Sequence, residues 1–318
     1  MTGLLAVPRA RLGTFPTPLH LAPRLSEAVG VEIWFKRDDL TGLGLGGNKV
    51  RGLEYLIADA EHRDCDVFVT GGAPNSNWAM LAALAARTRG MDAVLVHFGD
   101  PVAPVGNSEL ALLAGAQLRF THDDDRSSVD RVVSEVAAEL VAARRRPYAV
   151  GRGGATGLGA LGYVAASLEL AGQLHENGLQ PERLWLATGS CGTQAGLVAG
   201  AAWLGADYEV VGVTVSRPAD EVRDRVARIA AEAAALIGTP EPSGTPIVVD
   251  GFLGPAKGAR SAEGDAAAAL VARTEGVFLD PVFGAKAMAG LLHTVRHEPL
   301  PGSVVFLVSG GAPTLFGH

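Results

Sequence analysis

The sequence predicts an α/β fold in which mostly parallel, twisted sheets are flanked by helices on both faces. At least six segments repeat the order strand, glycine-containing loop and helix, which is typical of parallel strands joined by helical crossovers. The chain has 318 residues, of which 48% are hydrophobic and 19% are charged. It is therefore long enough to form two domains, each with a core of its own.

Five predicted strands and their helices fill the first half of the chain. An arm containing Pro8, Pro16 and Pro18 leads to a short helix that ends at Gly30, and a helix over 49–62 follows a glycine-rich loop. Runs of β-branched and aromatic residues predict strands at 31–36, 66–70, 92–98, 117–120 and 147–150. Helical spacing of apolar residues predicts helices at 78–90, 106–116 and 129–144, and another that ends near 174.

The second half continues the same alternation. Apolar runs predict strands at 183–188 and 208–215, a short one from Val277 and a last one from Ser303 to a Ser-Gly-Gly end. The helices are expected at 197–205, 219–237 and 263–276 and after Phe283, with an exposed loop at 239–246. Because glycine loops follow several different strands, we expect them to converge on one ligand-binding cleft at the carboxyl ends of those strands.

Composition excludes several classes of function. The net charge of −7 argues against a nucleic-acid partner, and no apolar run is long enough to span a membrane. The N-terminal LLAV is too short for the core of a signal peptide, so we expect a cytoplasmic protein. Cys65 and Cys191 form no disulfide framework and lack the spacing of metal ligands. His293 and His297 are four residues apart near a predicted helix end but lack a carboxylate motif, so surface or C-terminal capping roles are favoured. No metal is expected.

The stretch TGLGLGGNKVR places Lys49 at the start of a helix, directly after a strand and a glycine-rich loop. A helix start offers free N–H groups and a positive dipole end, which favour an anionic ligand and lower the pKa of an ammonium. A phosphate-loop nucleotidase is excluded, because Asn48 precedes Lys49 and Val50 follows it where Ser or Thr is required. Two interpretations stay open: a connecting loop with a surface lysine, which this segment alone favours, or a nucleophilic lysine that condenses with a carbonyl group.

The stretch ATGSCGTQAG is the strongest candidate for binding a phosphate. It follows a predicted buried strand and begins a helix, so successive N–H groups could turn toward an anion. Its glycine spacing differs from a dinucleotide fingerprint. A tight strand-to-helix turn with no ligand explains the same residues equally well.

Six motifs in the order GGNKVRGLEYL, GGAPNSN, GGATGLGALGY, ATGSCGTQAG, LDPVFGAKAMAGL and SGGAPTLFG resemble those of a known family. It is the family of pyridoxal-phosphate enzymes that contains aminocyclopropane-carboxylate deaminase and D-cysteine desulfhydrase. The resemblance covers nearly the whole chain and implies pyridoxal 5'-phosphate as cofactor. It also implies the tryptophan-synthase-β-like fold, fold type II, in which two α/β domains enclose the cofactor. We expect a larger cofactor-binding domain of residues 1–48 and 155–318 and a smaller domain of residues 49–154.

The resemblance also implies roles for single residues. Lys49 would be the lysine that forms the aldimine with the cofactor and moves the proton at the substrate Cα. Ser76 would lie near the substrate carboxylate or Cα and Asn77 near the phenolic oxygen of the cofactor, although the loop is one residue longer than usual, so Asn75 could reach the site instead. Ser309 would bond the pyridine nitrogen, leaving it largely unprotonated. The phosphate would be held by Thr188, Gly189, Ser190, Cys191, Gly192 and Thr193.

Several departures from the family pattern concern the substrate. Phe283 stands where a tyrosine is usual, and the segment that commonly supplies a second tyrosine contains Lys257. Trp78 replaces a polar residue after the Ser-Asn pair, and Gly52 stands where a lysine that contacts the phosphate is common. We expect Asn75, Trp78, Lys257 and Phe283 to line the substrate pocket. These departures predict little aminocyclopropane-carboxylate deaminase activity and weak D-cysteine desulfhydrase activity.

The resemblance implies a lyase that eliminates or deaminates at the β-carbon of a small amino acid through an aldimine with the cofactor. Two alternatives stay open. One is a synthase that replaces the β-substituent, and the other is a cofactor-binding protein without turnover. Family resemblance also implies a homodimer.

Overall fold

The computed structural model describes residues 2–255, 258–298, 300 and 302–316. Within these residues the chain forms two sheets and eleven α-helices. The strands are β1 (Leu19–Leu21), β2 (Ile33–Arg37), β3 (Val67–Gly72), β4 (Asp92–His97), β5 (Gln117–Phe120), β6 (Pro147–Ala149), β7 (Arg183–Thr188), β8 (Glu209–Thr214), β9 (Ile247–Val249) and β10 (Val304–Val308).

The helices alternate with the strands. They are α1 (Thr2–Ala6), α2 (Pro23–Val29), α3 (Lys49–His62), α4 (Asn77–Thr88), α5 (Asn107–Leu113), α6 (Ser128–Ala142), α7 (Gly157–Glu176), α8 (Gly192–Leu204), α9 (Ala219–Ile237), α10 (Ala262–Glu275) and α11 (Gly284–His297). This alternation confirms the α/β class that the sequence predicts.

The larger sheet has the strand order β1-β2-β10-β7-β8-β9. All its pairs are parallel except β1 with β2. Strand β10 is apolar along its whole length because it is buried in the middle of the sheet, where helices cover both faces. The last strand of the chain therefore joins β2, near the N-terminus, to β7, and the end of β10 lies beside the loop that precedes α3.

The smaller sheet is entirely parallel and has the strand order β5-β4-β3-β6. Its strands all come from residues 67–149, whereas the strands of the larger sheet come from residues 19–37 and 183–308. The assignment of 1–48 plus 155–318 and 49–154 to two domains stays a prediction in its exact bounds, because α3 packs against helices of both parts, α4 and α7.

Helix α3 is fixed by a close helix contact and by buried charge. A Cβ on Gly52 would lie 2.7 Å from the carbonyl oxygen of Gly159 in α7, so glycine allows the two helices to approach. Arg51, whose side chain is only 1% exposed, donates to both carboxylate oxygens of Asp38 at 2.7 and 2.8 Å and to Glu169 at 2.9 and 3.0 Å. These contacts hold the first turn of α3, and with it Lys49, against the larger sheet.

The structure corrects three details of the sequence analysis. The strand expected from Val277 is wrong: Val277 and Leu279 are buried like strand residues, but the Asp280 side chain accepts from the N–H groups of 282, 283 and 284 and begins α11 instead. Strand β9 was missed, because three residues at a sheet edge carry little periodic signal. Helix α1 and strand β1 were also missed, because five and three residues are too few to show a helical or strand period.

Candidate active site

Lys49, the loop after β7 and the end of β10 meet at the carboxyl edge of the larger sheet. The Asn48 N–H donates to the carbonyl oxygen of Ser309 at 2.9 Å, and the Asn48 amide donates to the Thr193 hydroxyl at 3.0 Å. The Lys49 Nζ donates to the Ser190 hydroxyl at 3.4 Å. Three stretches that are far apart in sequence thus meet around Asn48 and Lys49, as the glycine loops predict.

Lys49 is a half-buried lysine whose pKa is lower than usual. Burial of its ammonium lowers the pKa to about 8. Within the described residues, no carboxylate forms a salt bridge with it. Near neutral pH a useful fraction of such an amine is unprotonated and nucleophilic.

The loop after β7 fits a phosphate group. Cys191 adopts the left-handed conformation, with φ of 79°, and α8 begins at the next residue. The backbone bonds of α8 begin with the Ala195 N–H donating to the Cys191 carbonyl, so the N–H groups of Gly192 and Thr193 stay available at the helix start. The Thr188 hydroxyl is buried without a hydrogen-bond partner among the described residues. These donors beside an aldehyde-reactive lysine fit pyridoxal 5'-phosphate.

Cys191 contributes to this loop through its backbone rather than its thiol. The side chain is 2% exposed and packs with residues of α7, α8 and α9, including Ala160, Ala195 and Val222. Burial raises the pKa of the thiol, so it stays protonated and unreactive at neutral pH.

The loop after β3 presents Ser76 and Asn77 at the start of α4. The Ser76 hydroxyl accepts from the Ala79 N–H at 3.2 Å, which caps α4 and leaves the hydroxyl proton free for a ligand. The Asn77 Oδ1 accepts from the Asn107 side chain at 2.6 Å, and its amide nitrogen lies 2.8 Å from where a Cβ of Gly311 would be. Asn77 is therefore held beside the loop that follows β10.

Asn75 contacts the start of α5 instead. Its Oδ1 accepts from the Asn107 N–H at 2.9 Å and its carbonyl oxygen accepts from the Asn107 side chain at 3.0 Å. Because the side-chain oxygen already holds the start of α5, the geometry favours Ser76 over Asn75 as the residue that meets a substrate.

Two of the expected pocket residues have different environments. Phe283 lies beside the phosphate loop, where its ring is 3.3 Å from the position of a Cβ on Gly189. Trp78 is 4% exposed, donates from its indole N–H to the Thr70 hydroxyl at 2.8 Å and packs against Gly154. Trp78 thus supports the loop after β6 from behind, and the structure does not support its role as a pocket wall. Lys257 lies outside the described residues.

The structure also explains why position 52 carries no lysine. The side chain of any residue there would point at the Gly159 carbonyl across the contact between α3 and α7. A lysine would separate the two helices, so the tight packing and a phosphate-binding lysine exclude each other at this position.

Sequence reasoning missed two residues that shape the site. Asn107 organises the loop of Asn75, Ser76 and Asn77, and nothing in the sequence links residues thirty positions apart. Asp280 is 2% exposed, and burial raises its pKa to about 6 although three N–H groups bind it. The spacing of Asp280 before the helix at Gly284 was the signal that could have identified it as a helix start.

Other features of the described residues lie apart from Lys49. Cavities of about 340 and 390 Å³ lie beside Arg9 and Tyr55 and between α10 and α11, and neither is lined by Lys49 or by the loop after β7. In the part of the chain that the structure describes, no group of three or more His, Cys, Asp and Glu side chains could hold a metal ion. None of the helices described combines the length and apolarity needed to cross a membrane.

Comparison with known proteins agrees with this geometry. Residues 10–310 match the family described as pyridoxal-phosphate dependent enzyme. The chain is 39% identical over 311 residues to a candidate 1-aminocyclopropane-1-carboxylate deaminase of Pyrococcus abyssi, covering 98% of this chain and 94% of that protein. It is 39% identical over 322 residues to a D-cysteine desulfhydrase of Yersinia pestis, covering 99% and 97%. A crystal structure of an aminocyclopropane-carboxylate (ACC) deaminase homologue superimposes with a TM-score of 0.94 at 36% identity, covering 99% of this chain and 95% of that one.

Proposed function

This chain belongs to the pyridoxal-phosphate-dependent enzymes, and from that premise we infer that it is a lyase that removes the β-substituent of a small amino acid. The overall reaction converts the amino acid and water into a 2-oxo acid, ammonia and the protonated leaving group. The Cα proton and the bond from Cβ to the leaving group are lost, and the leaving group keeps the electron pair. The observation that carries the proposal is the Lys49 amine, whose pKa is about 8, set against a phosphate-binding helix start.

When bound, pyridoxal phosphate supplies an electron sink that stabilises negative charge at the substrate Cα. Lys49 would hold the cofactor and, with its lowered pKa, take the Cα proton near neutral pH. The Ser190 hydroxyl 3.4 Å from the Lys49 Nζ would orient the amine. The buried Thr188 hydroxyl and the N–H groups at the start of α8 would hold the phosphate.

The loop after β3 would bind the substrate. Ser76 has a free hydroxyl proton for a carboxylate, and the start of α4 adds N–H groups and a positive dipole end. Ser309, at the end of β10, is a neutral hydroxyl suited to the pyridine nitrogen. Such a partner adds no positive charge to the ring, which disfavours transamination and agrees with elimination.

The β-substituent need not be that of either named relative. We propose that turnover of aminocyclopropane carboxylate is low, because Phe283 beside Gly189 has no hydroxyl to protonate a ring carbon. We propose that D-cysteine turnover is also weak but less reduced, because a thiolate leaves without an acid and therefore depends less on the missing hydroxyl.

We also propose a homodimer in the cytoplasm. Large exposed apolar side chains such as Leu113, at 85%, and Phe316, at 82%, are compatible with a subunit interface. Both cysteines are free thiols, as is usual in a reducing compartment. Light scattering of the purified protein and cell fractionation test the two statements separately.

A panel of D- and L-amino acids tests the function. The purified, cofactor-loaded protein is incubated with serine, cysteine and β-substituted alanines, and ammonia and 2-oxo acid are measured. We expect at least one β-substituted amino acid to yield both products in equal amounts. Absorbance changes without any product would favour a cofactor-binding protein without turnover, and a thioether product formed only with an added thiol would favour a β-replacement synthase.

A further inference from the structure

His97 is a buried histidine at the carboxyl end of β4 that the sequence analysis did not single out. Its side chain is 1% exposed, and its ring packs against Phe120 with the ring centres 5.7 Å apart. Gly72 is its partner across the pair of β3 and β4, at the last position of both strands. The imidazole therefore lies where β3 ends and the loop that carries Ser76 begins.

The imidazole holds the last carbonyl group of β3. Its Nδ1 lies 3.2 Å from the carbonyl oxygen of Gly72, which can only accept, so Nδ1 carries the proton and donates. Burial lowers the pKa of His97 below its usual value of 6.5, although the carbonyl groups of Gly72 and Ala73 favour the charged form. The ring is therefore uncharged at neutral pH, with a proton on Nδ1 and none on Nε2.

The other ring nitrogen argues against a role in packing alone. The His97 Nε2 is buried and has no hydrogen-bond partner among the described residues. A buried polar atom without a partner destabilises the folded state, and an apolar side chain of similar size would avoid that cost. The group that distinguishes His97 from an apolar residue is therefore the Nδ1 donor to Gly72.

The Gly72 peptide supports the Ser76 hydroxyl. A Cβ on Gly72 would lie 2.9 Å from the Ser76 Oγ, so the hydroxyl packs directly on the Gly72 backbone. The Ser76 N–H donates to the carbonyl oxygen of Ala73 at 3.0 Å and closes the turn. A rotation of the peptide after Gly72 would therefore move the Ser76 hydroxyl, and the bond from His97 opposes that rotation.

Ser76 lies at the same cleft as Lys49. The side-chain amide of the next residue, Asn77, lies 2.8 Å from the position of a Cβ on Gly311, in the loop after β10. The residue before Lys49 donates its N–H to the Ser309 carbonyl oxygen of that loop at 2.9 Å. One loop therefore touches the starts of both α3 and α4, and the two helix starts border one cleft.

We propose that His97 is a positioning residue for substrate binding: by holding the Gly72 carbonyl group, it keeps the Ser76 hydroxyl and the start of α4 directed at the substrate carboxylate. The inference rests on the proposed function, because it concerns the carboxylate end of the same site. A histidine that only stabilised the smaller sheet would affect unfolding, but it would not change which ligands the protein prefers.

Nitrogen NMR of the cofactor-loaded protein tests the bond itself. In protein with isotope-labelled histidine, the shifts of the two ring nitrogens report which of them carries the proton. The His97 signals are identified by their absence from the spectrum of His97→Phe. At neutral pH we expect an uncharged ring with its proton on Nδ1. A proton on Nε2, or a charged ring, would overturn the inference.

Alanine and ethylamine form a matched pair of ligands, since they differ by the carboxylate and neither has a leaving group. Each is titrated into the cofactor-loaded protein while the cofactor absorbance is followed, with both enantiomers of alanine. We expect the better enantiomer to bind at least about tenfold more tightly than ethylamine. His97→Phe should reduce this preference about tenfold by raising the dissociation constant of alanine. His97→Asn keeps a donor near the Nδ1 position and should reduce it less than about threefold.

Phe120→Leu is the matched control, because it alters the packing of the His97 ring without removing the bond to Gly72. It should lower the free energy of unfolding and leave the preference for alanine unchanged. His97→Leu takes the place of His97→Phe if the larger ring prevents folding, since it also lacks the donor. An unchanged preference in the variant without the donor, or an equal loss in Phe120→Leu, overturns the inference.

A double-mutant cycle tests whether His97 acts through Ser76. In Ser76→Ala, the further change His97→Phe should reduce the preference by less than about threefold, because the hydroxyl that it positions is gone. Additive effects would contradict the inference. Release of the cofactor on dialysis of His97→Phe would also contradict it, because His97 would then support the cofactor site. Absence of product from every amino acid, with the preference for alanine intact, refutes the proposed function and leaves the role of His97 standing.

Discussion

Two cations two residues apart on α3 have opposite environments. Lys49 has a hydroxyl at 3.4 Å and a pKa lowered to about 8 by burial. Arg51 is more deeply buried, yet Asp38, Glu169 and Tyr163 raise its pKa further above its usual value. Burial disfavours both charges, and the difference lies in whether anions accompany them. On one face of α3 the buried charge of Arg51 is neutralised by carboxylates and stabilises the fold. On the other face the Lys49 amine has a lowered pKa and is left reactive.

Replacing Lys49 tests the reactive face and should have the largest effect. In Lys49→Met we expect turnover of the best substrate to fall by about a thousandfold or more, because both the cofactor anchor and the proton carrier are lost. The free energy of unfolding of the cofactor-free protein should stay unchanged or rise by about 1–2 kcal/mol, since an unpaired buried ammonium is removed. Kinetics and urea unfolding measure the two effects. Borohydride reduction and peptide mapping provide the control, and a cofactor adduct on another lysine would contradict the assignment.

Replacing Arg51 tests the neutralised face. Arg51→Met should lower the free energy of unfolding by about 3–5 kcal/mol, because Asp38 and Glu169 are left buried without their guanidinium. The matched change Arg63→Met, which breaks an exposed pair with Asp59 at the other end of α3, should cost less than about 1 kcal/mol.

Acid unfolding tests how Arg51 affects the pH dependence of stability. Arg51 helps to hold the pKa of Asp38 and of Glu169 below their ordinary values of 3.8 and 4.5. Their stabilising contribution is therefore present above those values and is lost as the pH falls through the lower values in the folded protein. The variant should lose less stability on acidification than the native protein, and an equal loss would mean that Arg51 does not control these carboxylates.

The pH dependence of cofactor attachment tests the lowered pKa of Lys49 directly, and its expected effect is smaller than those of the substitutions. Because only the unprotonated amine attacks an aldehyde, the rate at which cofactor-free protein binds pyridoxal phosphate covalently should rise about tenfold per pH unit below pH 8 and level off above it. Stopped-flow absorbance measures this rate. A rate that still rises steeply between pH 9 and 10 would show an ordinary lysine.

The regular elements were largely predictable because their signals are local. The helix over 49–62 has the predicted bounds, and the parallel strands β3, β4, β7, β8 and β10 lie where short apolar runs predict them. Short elements at sheet edges and the turn at Asp280 were not predictable. Three or four residues have too little periodicity to distinguish a strand from an extended loop.

The sequence by itself determined the α/β class, the family and its cofactor, and the position of Lys49 at a helix start, because each depends on residues that are close in sequence or on motifs in a set order. Only the tertiary structure decided which side chains meet. It placed Trp78 behind a loop, engaged Asn75 with α5 and left Gly52 no room for a side chain. The reason is that contacts between loops depend on how strands pair and helices pack across the whole chain, and local patterns of hydrophobicity contain no information about those distances.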